Sequence, residues 1–315
     1  MRSDAAGLRT TDVAHAAALI RRGGLVAMPT ETMYGLAADA TDVGAVARIF
    51  EVKGRPEDHP LIVHLPHPES LDRWVDDVPE TARRLAATAW PGPLTVIVPR
   101  PAAIPAIVTG GRPTVGVRVP AHPMATELME RAGTALAAPS ANRFGAVSPT
   151  TADHVLDDLG DVLDPARDAV LDGGPSPVGV ESTIVDCTVD PPQVLRAGGV
   201  PTEHVRAILR DSGTDLGAVS GPPRASGMLP SHYAPRCAVR VVDTADDALA
   251  LRAGTPGAEV LDLSDDLAAD ARRLYAELRR ADERGVRTVI AVLPPPEGLG
   301  HAIRDRLLKA AAPRP

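Results

Sequence analysis

The segment KGRPEDHP, residues 53 to 60, brings two cations and a histidine close together along the chain. Lys53 is one of only two lysines, the other being Lys309, although Lys and Arg together number 33. A charged helix end, where the helix dipole favours any cation, would be expected to carry arginine here as elsewhere. The compact charge of Lys53 beside the planar guanidinium of Arg55 suits a polyphosphate that must be neutralised as a bond breaks. His59 is a third potential donor on the same loop.

Polar side chains also follow the apolar run LVAMP (25–29), for which the pattern predicts a buried strand. The polar members of the next segment, MPTETMYGL, are Thr30, Glu31, Thr32 and Tyr34. Open α/β sheets bind ligands at strand ends, which would make this segment part of a site. An ordinary strand-to-helix turn, with Thr and Glu as helix starters, explains the same residues equally well.

Three later segments carry polar groups at strand ends. Arg118 lies within the apolar alternation TVGVRVP, so it needs an anionic partner if its face of the strand is buried. The segment PSAN ends at Asn142, the only asparagine, and suits a ribose, a phosphate or an amino-acid head group; a turn that caps the next helix is the alternative. Glu181, Ser182 and Thr183 begin the strand VESTIVDC, and Arg196 ends QVLR before a double glycine. Strand edges also carry such residues by chance.

Composition and missing motifs exclude several classes of function. The chain has no GxxxxGK[ST] loop, HExxH, GxSxG or kinase motif. Cys187 and Cys237 form no CxxC pair, which argues against a zinc site and fits a reducing cytoplasm. The N-terminal segment lacks the apolar core of a secretory signal, and no apolar run reaches the roughly 20 residues of a membrane span. A formal charge of −8 argues against a general nucleic-acid binder, so we expect a cytoplasmic globular protein.

Periodicity predicts the elements that position these residues. Helices are expected at 11–22, 42–53, 122–132, 151–159 and 201–210, and strands at 25–29, 61–65, 94–99, 114–120, 134–140, 180–187 and 193–196. Because these do not strictly alternate, we expect an α/β fold with a twisted mixed sheet, partly antiparallel, and flanking helices over residues 1–210.

The chain changes character at residue 211. Residues 211–237 are rich in Gly, Pro and Ser and predict a linker or a long ordered loop, and loops of this length are usually functional or disordered. Strands at 238–243, 258–263 and 287–293 then alternate with helices at 245–253, 267–284 and 298–311. This pattern predicts a small parallel βαβαβα domain, Rossmann-like but without GxGxxG, over residues 238–315.

The motifs PTETMYGL, KGRPEDHPLIVH, TVGVRVP, APSAN and VESTIVD together resemble the L-threonylcarbamoyladenylate synthase (YrdC-type) family, in order and in spacing. SGMLPSHYAP and GLGHAIRDRLLKAA are similar to the two-domain long form with its extra C-terminal domain, so the resemblance covers about residues 10 to 312. It implies a YrdC-like fold and synthesis of threonylcarbamoyl-AMP from L-threonine, bicarbonate or CO₂, and ATP, with release of pyrophosphate. The product would serve threonylcarbamoyladenosine modification of tRNA next to the anticodon.

The resemblance also implies roles for residues. Lys53 and Arg55 would be catalytic and would face the ATP phosphates. The full set of expected ATP-binding residues is Lys53, Arg55, His59, Thr114, Ser140, Asn142, Ser148, Arg196 and Tyr233. The expected threonine-binding residues are Thr32, His64, Arg118 and Ser182, with Arg118 on the carboxylate. His59 stands where many members carry Asn, although a histidine can still donate to a phosphate. Ala197 replaces a frequent proline, a change expected to affect only local rigidity.

Cofactor and partners follow from the same resemblance. Mg²⁺ is expected with ATP, held by phosphates and water and by no protein ligand. A downstream threonylcarbamoyl transferase complex is the expected partner, with weak contact to tRNA and none to a membrane. The linker 211–237 is expected to cover the active site, and the C-terminal domain is expected to position the linker there or to dock the transferase. Two other functions remain open: an enzyme that makes a carbamoyl-adenylate from carbamoyl phosphate, and an RNA-binding module, which acidity and scarce aromatic residues disfavour.

Overall fold

A computed structural model describes residues 7–211, 213–229 and 231–313, and its main feature is a ten-stranded mixed sheet. The strands are β1 (Arg9–Thr10), β2 (Val26–Met28), β3 (Gly35–Asp39), β4 (Ile62–His64), β5 (Leu94–Pro99), β6 (Thr114–Arg118), β7 (Leu136–Ala138), β8 (Ala169–Leu171), β9 (Thr183–Asp186) and β10 (Gln193–Arg196). Their order in space is β1-β8-β2-β3-β7-β4-β6-β5-β9-β10. The sheet contains both parallel pairs, such as β4 with β6, and antiparallel pairs, such as β5 with β6, which confirms the expected mixed sheet.

Seven α-helices within the described ranges flank this sheet. They are α1 (Val13–Ile20), α2 (Val43–Lys53), α3 (Leu71–Trp74), α4 (Glu80–Ala89), α5 (Pro123–Ala132), α6 (Ala152–Leu159) and α7 (Thr202–Arg210). Buried residues of α2, α4, α6 and α7 form one core with one face of the sheet, whereas α1 and α5 pack on the other face. Side chains alternate between the faces along each strand. Val115 and Val117 of β6 therefore enter the large core, while Arg118 lies on the opposite face.

A second sheet forms from the C-terminal part of the chain. Its elements are β11 (Ala238–Val242), α8 (Ala245–Ala253), β12 (Glu259–Asp262), α9 (Leu267–Glu283), β13 (Thr288–Val292) and α10 (Gly300–Ala311). All three strands are parallel in the order β11-β13-β12, which confirms the predicted βαβαβα pattern. Met33, Val147 and Val180 of the first part belong to the same buried cluster as the inner residues of α9 and α10, so the two parts share a core.

Differences from the predicted elements have local causes. The strands β1, β3 and β8 and the helices α3 and α4 were not predicted. The chain turns from β2 into the antiparallel β3, so the alternative of a strand-to-helix turn after residue 29 is wrong. The sequence of β3, GLAAD, lacks the β-branched and aromatic residues that usually mark a strand. Its strand conformation is imposed by pairing with β2 on one side and β7 on the other.

Candidate active site

A cavity lies on the sheet face that carries Arg118, between the strand ends and the segment 223–237. Several of the residues expected to form the site line this cavity: Thr32, Arg55, His64, Arg118, Ser140, Ser182, Arg196 and Tyr233. Ser226, Gly227 and His232 of the segment also contribute to its lining. All four expected threonine-binding residues and four of the expected ATP-binding residues therefore line the same cavity.

One side of the cavity combines a hairpin loop with two neighbouring strands. His64 of β4 is in register with Arg118 of β6, so their side chains project from the same face of the sheet. In the loop between β2 and β3, the Thr30 hydroxyl donates to the Met33 carbonyl at 2.6 Å and lies 2.9 Å from the Thr32 hydroxyl. These bonds fix the loop, so the Thr32 hydroxyl has a defined position beside the two strand residues.

Arg118 has the anionic partner that its burial requires. Its Nη2 lies 2.8 Å from Oε1 of Glu31, and its Nε donates to the Gly92 carbonyl at 3.2 Å. The two paired side chains are only 5% and 6% exposed. Burial and the neighbouring Arg118 lower the pKa of His64 to about 3, so the imidazole is neutral at neutral pH. This side of the cavity thus offers one guanidinium together with neutral donors and acceptors.

The opposite side of the cavity is formed around Arg196, at the end of β10. Its Nε and Nη2 donate to the carbonyl and hydroxyl oxygens of Ser182, both at 3.1 Å, and its Nη1 donates to the Ser226 carbonyl at 3.1 Å. The Ser182 hydroxyl is also 2.8 Å from the Thr95 hydroxyl. Burial lowers the pKa of Arg196, and every acceptor named here is uncharged.

Arg55 connects the loop 53–60 to the segment 223–237, which is called the covering segment below. Its Nη2 donates to the Pro60 carbonyl at 3.0 Å and to the Ser226 hydroxyl at 3.3 Å. Burial lowers its pKa to about 10. Gly227, at φ +83°, packs so closely that an added Cβ would lie 2.5 Å from the Tyr233 hydroxyl. The segment is therefore closely fitted over the cavity.

Lys53 is buried but does not line the cavity. Its Nζ donates to the Ser140 carbonyl at 2.7 Å and also to the Asn142 carbonyl. The Phe144 amide donates back to the Lys53 carbonyl at 2.9 Å. Burial and the nearby Arg55 hold the pKa of the amine well below its usual range. In this conformation Lys53 fixes the loop after β7 to the end of α2.

The structure does not bring four other expected residues into this cavity. His59 lines an adjacent cavity that it shares with Arg55 and Arg112. Thr114 lines a smaller cavity beneath the covering segment. The Asn142 amide donates to backbone carbonyls of its own loop. Ser148 is fully buried, and its hydroxyl donates to Glu181 at 2.8 Å.

Three residues important for this geometry were absent from the expected set. Glu31 and Glu181 were noted only as polar groups at strand ends, and Arg306 was missed. The sequence does carry a signal for Arg306, because this arginine lies on the apolar stripe of α10, between Ile303 and Leu307. In the structure its side chain is fully buried. A buried charge on such a stripe requires a partner elsewhere in the fold.

The fold and the cavity define an α/β protein with a site for small anionic substrates. Within the described ranges, no group of three or more His, Cys, Asp or Glu residues could hold a metal ion. No described helix is long and apolar enough to cross a membrane. The cavity presents buried guanidinium groups and hydroxyls, which are the groups that bind carboxylates and phosphates.

Comparisons with known proteins assign the family. Residues 18–198 match the family model described as "Telomere recombination", and residues 200–312 match the model described as "Threonylcarbamoyl-AMP synthase, C-terminal domain". Threonylcarbamoyl-AMP synthase of Pyrococcus abyssi is 40% identical over 95% of this chain and 94% of its own length. The Bacillus subtilis protein of the same name is 38% identical over 98% of this chain and 95% of its own length.

A solved structure agrees with these matches. The crystal structure of P. abyssi Sua5 complexed with L-threonine superposes with a TM-score of 0.86 at 38% identity, covering 95% of this chain and 94% of that one. The chain belongs to the threonylcarbamoyl-AMP synthase family, in its two-domain Sua5 form.

Proposed function

We propose that the cavity is the place where the chain carries out the reaction of its family. The chain is a nucleotidyltransferase that joins L-threonine, bicarbonate or CO₂, and ATP into threonylcarbamoyl-AMP and pyrophosphate, for threonylcarbamoyladenosine formation in tRNA. The observation that supports this location is the common cavity of the expected threonine residues and the guanidinium groups of Arg55 and Arg196. The threonine-bound P. abyssi relative supports threonine as the amino-acid substrate.

We propose that Arg118 binds the threonine carboxylate, with Thr32, His64 and Ser182 around the rest of the amino acid. A guanidinium binds a carboxylate through charge-assisted hydrogen bonds, which are stronger than those between neutral groups. His64 stays neutral, so it adds no second positive charge and can accept or donate a hydrogen bond.

The nucleotide is proposed to lie toward Arg55 and Arg196, with Ser140 and Tyr233 around it. His59, Thr114, Asn142 and Ser148 remain proposed contacts, which require a different arrangement of the residues around the cavity. For Lys53, the proposal requires the amine to leave the two loop carbonyls and approach the triphosphate. Arg55 and Lys53 would then neutralise the charge that develops on the leaving pyrophosphate.

The chemistry requires positioning and no protein nucleophile. The neutral threonine amine bonds to the carbon of CO₂ and gives up a proton to water, which forms a carbamate; with bicarbonate as the carbon source, the same carbamate forms with loss of water. A carbamate oxygen then attacks the α-phosphorus of ATP, the bond from that phosphorus to the bridging oxygen breaks, and pyrophosphate leaves with the electron pair. Holding three substrates in line supplies much of the acceleration available to such a reaction.

Mg²⁺ is proposed to arrive with ATP and to neutralise phosphate charge. The carboxylates of Glu31 and Glu181 already pair with arginines, so the residues present fit a metal held by phosphate oxygens and water. We also propose domain limits at 1–210, 211–237 and 238–315, of which residues 1–6, 212, 230, 314 and 315 lie outside the described residues. A cytoplasmic location and transfer of the product by a partner transferase complete the proposal.

A pyrophosphate-release assay tests the function. Purified chain is incubated with ATP, Mg²⁺ and bicarbonate, with and without L-threonine, and pyrophosphate is followed over time. Release that depends on threonine is the expected result. Release that ignores threonine but responds to carbamoyl phosphate would overturn the proposal in favour of carbamoyl-adenylate synthesis.

A further inference from the structure

A buried carboxylate joins the cavity to the C-terminal sheet and helices. Oε1 of Glu181 accepts a hydrogen bond from the Ser148 hydroxyl at 2.8 Å, and its Oε2 accepts from Nε of Arg306 at 2.7 Å. The Tyr275 hydroxyl is 2.9 and 2.8 Å from the two oxygens. Ser148 follows β7, whereas Tyr275 and Arg306 belong to α9 and α10. Elements from both parts of the chain therefore bond the same carboxylate.

Arg306 is held in place by contacts besides this ion pair. Its Nη1 donates to the Ala197 carbonyl at 2.9 Å and to Asp305 at 2.7 Å, and its Cζ lies 5.2 Å from the centre of the Tyr233 ring. The side chain is 0% exposed. A buried ion pair is seldom more stabilising than apolar residues of the same volume. Adhesion between the domains is therefore a poor explanation for a charged pair here.

The distribution of charge around the cavity gives a better explanation. Of the described residues that line the cavity, Glu181 alone is acidic. Its oxygens are occupied by Ser148, Tyr275 and Arg306 (2.7–2.9 Å). The nearby Arg196 donates instead to neutral oxygens of Ser182 and Ser226. Arg196 thus keeps a positive charge that no carboxylate neutralises through a direct bond.

We propose that Arg306 and Glu181 are positioning residues for the nucleotide. Arg306, from the C-terminal part of the chain, holds the Glu181 carboxylate so that it does not pair with Arg196, and Glu181 in turn orients the Ser148 hydroxyl. The guanidinium of Arg196 thereby stays available for an ATP phosphate. The inference rests on the proposed function, because it requires ATP to bind in this cavity. It gives the C-terminal domain a direct part in nucleotide binding.

The proposal makes a specific statement about what happens without Arg306. Glu181 would lose the cation that lowers the pKa of its carboxyl most, and Arg196, which lines the same cavity, is the next cation that lowers it. An ion pair between Glu181 and Arg196 would form and would compete with ATP. When Glu181 is also replaced by a neutral residue, no carboxylate at this position can compete with ATP for Arg196. The loss of Arg306 should then reduce ATP affinity much less.

A double-mutant cycle tests this. The affinity for Mg-ATP, and separately for L-threonine, is measured by calorimetry on the full chain for the wild type, Arg306→Met, Glu181→Gln and the double variant. Arg306→Met should weaken ATP binding about tenfold or more when residue 181 is Glu, but less than about threefold when the chain also carries Glu181→Gln. The difference between these two losses corresponds to an interaction energy in the usual range for residues in contact. Threonine binding should fall less than ATP binding in Arg306→Met, because Ser182 alone among the proposed threonine-binding residues, all of which the structure describes, is hydrogen-bonded to Arg196.

An equal loss of ATP affinity in both backgrounds would overturn the proposal, since Arg306 would then act only by docking the domain. Arg306→Gln is measured in the same two backgrounds and gives the same test if Arg306→Met does not fold. Glu203→Gln is the control, because it removes an exposed contact with His301 on the same helix α10 and should leave ATP affinity unchanged. A wild type that binds ATP but releases no pyrophosphate with threonine would contradict the proposed function instead.

Discussion

The buried pair of Arg118 and Glu31 allows a prediction with a worked magnitude. In Arg118→Met, Glu31 is left at about 6% exposure without its ion-pair partner, and neither carboxylate oxygen has a hydrogen-bond partner among the described residues. Breaking a buried ion pair on one side costs about 3–5 kcal/mol. We therefore expect the free energy of unfolding in urea to fall by about that amount. The change should be visible as a lower midpoint with an unchanged slope.

The same variant should lose threonine binding for a separate reason. A hydrogen bond to a charged group contributes about 1.5–3 kcal/mol, which corresponds to a roughly 10- to 150-fold weaker dissociation constant for L-threonine in calorimetry. The double variant Glu31→Met, Arg118→Met separates the two effects. It removes the unpaired charge, so stability should return to within about 2 kcal/mol of the wild type, while threonine binding should stay weak.

Arg84→Met is the matched control for this experiment. Arg84 pairs with Glu80 one turn away on α4, and both side chains are largely exposed. Its removal should change stability by less than about 1 kcal/mol and leave threonine binding intact. Wild-type threonine affinity in Arg118→Met would refute the carboxylate-binding role, and unchanged stability would refute the ion pair with Glu31.

Three other predictions follow from single sites. Lys53→Met should lower kcat by about 100-fold or more in the pyrophosphate assay if the amine meets the phosphates, whereas a change within a few-fold would contradict that role. Burial and Arg118 lower the pKa of His64 from 6.5 to about 3. Between pH 6.5 and about pH 3, His64 is therefore protonated in the unfolded chain but neutral in the folded chain. The free energy of unfolding should therefore fall as pH falls through this window. His64→Gln should make the free energy of unfolding, measured by urea titrations at several pH values, depend less steeply on pH; an unchanged pH dependence would disprove the assignment. Gly227→Ala adds a Cβ 2.5 Å from the Tyr233 hydroxyl at a positive φ, so it should weaken ATP binding as measured by calorimetry. The control Gly254→Ala, where φ is ordinary, should leave ATP binding unchanged. Equal effects of the two substitutions would contradict the close fit of the covering segment.

Much of the fold was predictable because its strands and helices carry strong periodic patterns. The alternation of TVGVRVP placed Arg118 on the face opposite Val115 and Val117, and its burial predicted an anionic partner. The identity of that partner could not be read from the sequence, because Glu31 reaches Arg118 only through the pairing of distant strands. β3 was missed for a different reason, since an Ala-rich strand is formed by its neighbours and carries little signal of its own.

The candidate site was predictable to a similar degree. The scarcity of lysine predicted a functional role for Lys53 at a phosphate, whereas the structure places its buried amine on two backbone carbonyls outside the cavity. Its contact with phosphate remains a prediction. Arg306 was missed because a helix pattern averages over a single charged residue on an apolar stripe. Only the tertiary structure shows that Glu181 lies opposite it, across the boundary between the two sheets.

The most direct test of the central claim follows the carbon atom that the reaction must incorporate. The chain is incubated with L-threonine, ATP, Mg²⁺ and ¹³C-bicarbonate, and the nucleotide products are identified by mass spectrometry. The account predicts an adenylate whose mass equals AMP joined to threonine through one labelled carboxyl carbon, formed with pyrophosphate in equal amount. AMP or ADP alone, or an adenylate without the label, would contradict it.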